Sequence, residues 1–210
     1  ATVATRANLE AELAPVVDAD VAAAIEQLRA TDTAASRGTG EQLAAWRTAV
    51  VDRLHAHAAH GGPLTAADVA GTAVALGDIR VRDTYLWDLA QDGVDRPAAI
   101  RVLTQVTRTT PLSAVAPAAT VLALQHYQGG DGARANIALD RALTSDPDYS
   151  LAGLARAALS GGLPPAAWTQ VMGQLTRDQC LHGIDHAAPA ATAAPLSPAP
   201  HVTPAQGIAL

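Results

Sequence analysis

Three histidines within six residues, His55, His57 and His60 of "HAHAAH", are the first group in the chain whose types suit metal binding. Ligands on one helix must stand three or four residues apart to share a face, and only His57 and His60 meet that spacing. The alternative is a polar helix end, where histidine interacts favourably with the C-terminal dipole. A second group, Cys180, His182 and His186 of "CLHGIDHA", contains one pair at a spacing of four. Gly183 interrupts it, and a zinc site would still need a further ligand or water. A cysteine beside histidine can form a nucleophilic pair, but no oxyanion-stabilising motif accompanies this one, and a lone cysteine is more often structural. No metal, cofactor or catalytic residue is expected.

The glycine-rich "GGDGARAN", residues 129–136, lacks the Lys and Ser/Thr of a phosphate loop, and no strand pattern precedes it. It reads as a turn between helices. Asp146 and Asp148 flank Pro147 and are expected to cap the next helix rather than to exchange protons. Arg134 and Arg141 stand seven apart and are expected to share an exposed face.

Composition narrows what can position these residues. Hydrophobic residues make up 49% of the 210, yet aromatics only 3% with no Phe, so the core must be built from Ala, Leu and Val at close spacing. Alanine favours helix and is depleted in strands. A formal net charge of -6, with Arg interspersed among acids, opposes nucleic-acid and anionic-membrane binding. The bias toward Arg, with no Lys, reads as codon pressure. One cysteine excludes an internal disulfide, and no apolar run approaches membrane-spanning length. A soluble, cytoplasmic, non-enzymatic protein is expected. The start at Ala1 rather than Met reads as a processed or truncated piece.

Apolar spacing of three and four, with caps and breakers, predicts about nine helices in an all-α array. A short helix spans Asn8 to Leu13. A second carries Val17, Val21, Ile25 and Leu28 on one face, before the loop "ATDTAASRGTG". Glu41 to about His57 aligns Leu43, Trp46, Val50 and Leu54, with Trp46 as an expected buried anchor. Thr65 and Asp68 predict a capping pair, followed by helices through Leu76, through Ala90 and from Pro97 to Pro111.

From Leu122 to Leu154 the spacing suits a tetratricopeptide-like unit at about 116–149, the helix-turn-helix of ~34-residue repeats. Leu122 and Ala123 take the large and small positions of the first helix, Gly130 the turn, and Ala135, Leu139 and Ala142 the second helix. Small residues let backbones approach while large ones fill the gap opposite. His126 stands where the pattern has its aromatic, with Tyr127 one residue late, and Ala119 replaces the usual Trp. That shift would turn Tyr127 by about 100° toward a groove edge. Pro117, Thr120, Leu124 and Tyr127 are therefore the expected partner-binding residues. Leu151, Leu154, Ala155, Ala158 and Leu159 predict another helix, which Ala166 to about Leu175 would pair with.

The segments "DIRVRDTYLWDLA", "APAATVLAL", "GGDGARANIALDRALTSDPDYSLAGL" and "GGLPPAAW", in this order over Asp78 to Trp168, resemble the actinobacterial domain of unknown function family 4192. The earlier "ANLEAELAPV" is compatible with what precedes them. The resemblance implies ancestry, and longer relatives with an additional amino-terminal region, but no activity.

These readings place an all-helical domain at 1–186 and an Ala/Pro-rich tail at 187–210, whose prolines forbid a continuous helix. Alone the tail is expected to be disordered or polyproline-like, and the alternative is that it docks on something through its apolar end, Ile208 to Leu210. The expected function is a protein-interaction or scaffold role with an unidentified protein partner, a homo-oligomer remaining open. The competing class is an accessory, regulatory or oligomerisation domain of an enzyme whose catalytic region lies outside this chain. A third is small-molecule binding between helices, which needs a polar-lined pocket.

Overall fold

The computed structural model describes residues 5–32, 40–91 and 93–183. Among them the chain forms eleven α-helices, one 3-10 turn at Leu112–Ala114 and no strand, close to the nine helices expected. No helix of the described residues is long and apolar enough to cross a membrane. The expected tail, and most of the loop after the second helix, lie outside the described residues.

Helix α7 (Ala116–Gln128) organises the rest. Every residue in it except Pro117 and Gln128 is buried. A helix that is apolar all round has no solvent face, so it must be enclosed by neighbours. Helices α6 (Arg96–Thr109), α8 (Gly132–Ser145), α9 (Ser150–Ser160), α10 (Pro165–Met172) and α5 (Ile79–Leu89) all pack on it. Ala118, Ala119 and Ala123 permit that close approach, while Leu122 and Leu124 fill the spaces between.

The α7–α8 hairpin follows from the sequence at its turn. Gly130 adopts φ +80°, the N–H of Asp131 donates to the His126 carbonyl at 2.8 Å, and the N–H of Gly130 donates to that of Tyr127 at 2.9 Å. This paired closure satisfies carbonyls that the helix end leaves open and needs a left-handed residue. Asp131 then caps α8 by accepting from the N–H of Arg134. Gly162, at φ +67°, closes α9 in the same way, with the Leu163 N–H on the Ala158 carbonyl.

The amino-terminal half wraps one side. Helix α1 (Arg6–Glu12) lies on α8, tied by Arg6 to Asp140 and by Glu12 to Arg134. Helix α2 (Ala19–Asp32) packs on α4 (Ala66–Ala75), which also contacts α6. Helix α3 (Gly40–His60) packs on α5, α6 and α11 (Arg177–His182). The Thr65–Asp68 capping box forms as the sequence predicts, and Asp95 caps α6 with Pro97 in its first turn.

Several expectations are corrected. Val17 precedes α2 and is 97% exposed, so the buried face of that helix is Val21 and Ile25. Trp46 is 39% exposed and anchors nothing; Val51, one residue beyond the predicted stripe, takes the buried place beside Val50 and Leu54. Leu154 is 69% exposed because Ala152 and Ala155 form the packed face of α9. Helix α10 is shorter than predicted and lies chiefly on α7 rather than α9. On α9 the small side chains, not the large ones, form the buried face.

Two substitutions test this packing. Gly153 sits on the exposed side of α9, where an added Cβ meets nothing within 4 Å. Gly153→Ala should raise stability by about 1 kcal/mol, whereas Leu122→Ala at the centre of α7 should lower it by about 3 kcal/mol. Denaturant midpoints at unchanged m value measure both.

Candidate functional site

Among the described residues a concavity of about 730 Å³ lies between α2, α3 and α4. Helical spacing assembles its walls. From α3 come Leu43, Trp46, Arg47, Val50, Leu54 and His57, each three, four or seven residues from another. From α4 come Ala67, Gly71, Val74 and Ala75, and from α2 Leu28 and Thr31. Val50, Leu54, Thr72 and Ala75 make a buried floor, while Leu28 and Trp46 stand partly exposed at the rim. Gly71 leaves an opening in the α4 wall, since a Cβ there meets no atom within 4 Å.

Both carboxylates of the cleft are engaged, and Arg53 adds a further cation to its lining. At one end Arg47 donates to Asp78 Oδ2 from Nε at 3.1 Å and Nη2 at 3.0 Å. The other oxygen of Asp78 caps α5 by accepting from the N–H of Arg80 and Val81. One side chain therefore closes the cleft end and starts the next helix. Across the rim, His57 Nε2 lies 3.8 Å from Asp68 Oδ1. The hydrogen bond from the Thr65 hydroxyl holds the Asp68 carboxyl below its usual range, against the opposing effect of burial.

The histidines of "HAHAAH" diverge. His55 leaves the cleft, stacks at a tilt on Tyr85 with centroids 5.1 Å apart, and places Nε2 3.0 Å from Asp88 Oδ2. His57 faces the cleft, and His60 is exposed. No group of three metal-ligating side chains gathers among the described residues. Asp88 also accepts from Arg177, with Nε at 2.8 Å and Nη2 at 3.2 Å, so one carboxylate joins α3, α5 and α11. Burial pushes this carboxyl up, but the hydrogen bonds from His55 and Arg177 outweigh it and hold it below the carboxylate range.

In the second cluster, Cys180 is buried and its thiol is pushed up to about 11, first by burial and then by Asp83 and Asp88. Such a thiol is a poor nucleophile near neutral pH. His182 lies 3.3 Å from Asp178, and His186 is outside the described residues. A smaller cavity of about 230 Å³ borders Cys180, Arg82 and Trp168. Arg82 is already engaged there by Asp83 and the Tyr149 hydroxyl.

The residues expected along a repeat groove are corrected. Pro117 is half-buried, and Thr120, Leu124 and Tyr127 are buried. Thr120 turns its hydroxyl back to the Ala116 carbonyl, and the Tyr127 hydroxyl donates to the Leu163 carbonyl in the turn before α10. The one-residue shift does swing Tyr127, but toward the α9–α10 turn, because α7 is covered on all sides. Burial also holds the neighbouring His126 below the ordinary histidine range.

Other polar expectations divide. Arg134 pairs with Glu12 and Asp131. Arg141, half-buried, donates to the Thr107 and Thr110 carbonyls at the end of α6. The two arginines thus serve different neighbours rather than one exposed face. Asp146 accepts from the Asp148 N–H, closing a turn, and Tyr149 stands at the N-cap of α9 without a side-chain cap bond. The cleft itself was missed in the sequence. Its available signal was Gly71, a helix-interior glycine, together with an aromatic at Trp46 on the neighbouring helix.

Asp88→Asn should cost about 2 kcal/mol by removing the charge and one of the two acceptor oxygens that His55 and Arg177 share. Because the folded carboxyl titrates below its unfolded value near ~4, its contribution is present above that pH and lost as the pH falls through the folded value. Chemical denaturation from pH 7 to pH 3 should therefore show a steeper acid-side loss in the wild type than in the variant.

The profile of the domain of unknown function family DUF4192 matches residues 1–166, which contain the whole cleft and end as α10 begins. No curated protein and no solved structure matches the chain. With the greater part of its 210 residues matched, the chain belongs to the DUF4192 family.

Proposed function

We propose that this chain is a non-enzymatic protein-interaction domain whose contact surface is the α2–α3–α4 cleft. The observation that carries this reading is the exposed apolar rim of Leu28 and Trp46 over a buried floor, beside the uncovered backbone of Gly71. Tryptophan and arginine flanking a desolvated pocket are the residue types that dominate binding energy at protein interfaces. The Arg47–Asp78 and His57–Asp68 pairs engage both carboxylates of the cleft, and Arg53 adds a cation to its wall, which suits a largely apolar partner with an acceptor at that point.

The helical array behind the cleft supplies rigidity. In its spacing of small and large residues the α7–α8 hairpin is similar to a tetratricopeptide unit, and we read it as scaffold rather than as groove. The high-pKa thiol of Cys180 and the engagement of His55 with Asp88 support a role without chemistry of its own. The net charge of -6 favours a protein partner over nucleic acid or an anionic membrane, and the single cysteine suits the cytoplasm.

Affinity capture with the full chain tests the surface. Trp46→Ala and Gly71→Leu should each reduce a stoichiometric partner at least tenfold, Gly71→Leu by filling the cleft. Leu154→Ala, an exposed apolar change on α9, should leave it unchanged. Equal capture by all three would overturn the assignment of the cleft.

A further inference from the structure

Two ionic contacts set the geometry of the cleft. His57 meets Asp68 and Arg47 meets Asp78, so higher numbers on α3 face lower numbers on the opposite wall. The two walls therefore run antiparallel, and the contacts lie about 15 Å apart at the helical rise. Arg53 and Thr72 each stand one turn inward from the His57–Asp68 contact, which puts them at the same level on opposite walls.

Neither of these side chains has a partner. The Arg53 guanidinium makes no ion pair or hydrogen bond among the described residues. Its acidic neighbour Asp68 is already taken by the Thr65 hydroxyl and faced by His57. Thr72 is 3% exposed, and its hydroxyl, unlike that of Thr120, does not bond back along its helix or to any other described group. The partnerless hydroxyls of Thr84, Thr107 and Thr110 are sealed from solvent, but that of Thr72 is not, and the residue opens only where it lines the cleft. A buried hydroxyl in this state gains from an acceptor placed in the cleft.

A carboxylate answers both groups, taking paired N–H donors from a guanidinium and an O–H from a threonine. Beyond that point the floor is apolar, through Val50, Leu54 and Ala75. Trp46 follows, two turns from Arg53 and about 10 Å along α3. A polypeptide lying lengthwise would have to cross the ionic contacts at both ends, whereas a small molecule would lie between them. The volume of about 730 Å³ is ordinary for a small-molecule site.

We propose that the α2–α3–α4 cleft binds a small apolar monocarboxylate, with its carboxylate between Arg53 and Thr72 and its body along Val50 and Ala75 toward Trp46. The proposal rests on the reading of the cleft as a binding surface and adds a free ligand that would exclude a partner from it.

Octanoate is the probe, since with C–C bonds of about 1.5 Å its extended chain spans about 10 Å, the separation of Arg53 and Trp46 along α3. Isothermal titration of the full chain should show one saturable site for octanoate. Octanamide, with the same body and no charge, should bind at least tenfold more weakly. Arg53→Gln, at an exposed position, should weaken octanoate at least tenfold and leave octanamide unchanged. Thr72→Val, which keeps the shape of the side chain, should weaken octanoate about fivefold. No saturable site, equal binding of the amide, or octanoate binding unchanged in Arg53→Gln would each overturn the proposal. The two readings fail separately. Partner capture that depends on Trp46 without octanoate binding defeats only the ligand assignment, and octanoate binding with Trp46-independent capture defeats only the partner surface.

Discussion

The complete burial of α7 is the constraint on which the remaining structure depends. A thirteen-residue helix without a solvent face has to be walled in by several others, and alanine at Ala118, Ala119 and Ala123 sets how near they come. Several of the polar groups carried inside with it find partners, although the Gln125 side-chain nitrogen has none. Thr120 bonds back along its own helix, the Gln125 carbonyl accepts from Arg96, and the Tyr127 hydroxyl reaches the Leu163 carbonyl. Two of these bonds also reach a neighbour, α6 through Arg96 and the α9–α10 turn through Leu163.

Away from that axis, single polar side chains hold the outer helices by serving more than one element. Asp88 binds His55 and Arg177 and so joins α3 and α11 to α5. Asp78 starts α5 with one oxygen and receives Arg47 of α3 with the other. Arg141 satisfies carbonyls at the end of α6 from its place on α8. Polar ties of this kind suit a core poor in aromatics, since geometry is specified by directional bonds where shape alone would leave alanine faces free to slide. The cleft lies where α2 packs on α4 while α3 is held chiefly by α5, α6 and α11.

Local chemistry made much of the fold legible. The Thr65–Asp68 box, the glycine turn at Gly130, Pro97 at the start of α6 and the apolar spacing of α7 and α8 each act within a few residues, and each appears in the structure as the sequence predicts. The site was far less legible. Trp46 lies in a perfect apolar stripe with Leu43, Val50 and Leu54, yet that stripe is divided between the core and the cleft. Periodicity reports which residues share a face, not whether a neighbour covers that face along its whole length.

By itself, then, the sequence determined an all-helical chain with a core of small side chains, its principal turns and caps, and its membership of a family, because propensity, capping and spacing are properties of neighbouring residues. Tertiary structure alone decided that Tyr127 turns inward, that His55 joins Asp88 rather than His57, and that Trp46 borders an open cleft. Those outcomes depend on which helices meet, and residues as distant in sequence as Asp88 and Arg177 come together only when the whole array closes around α7.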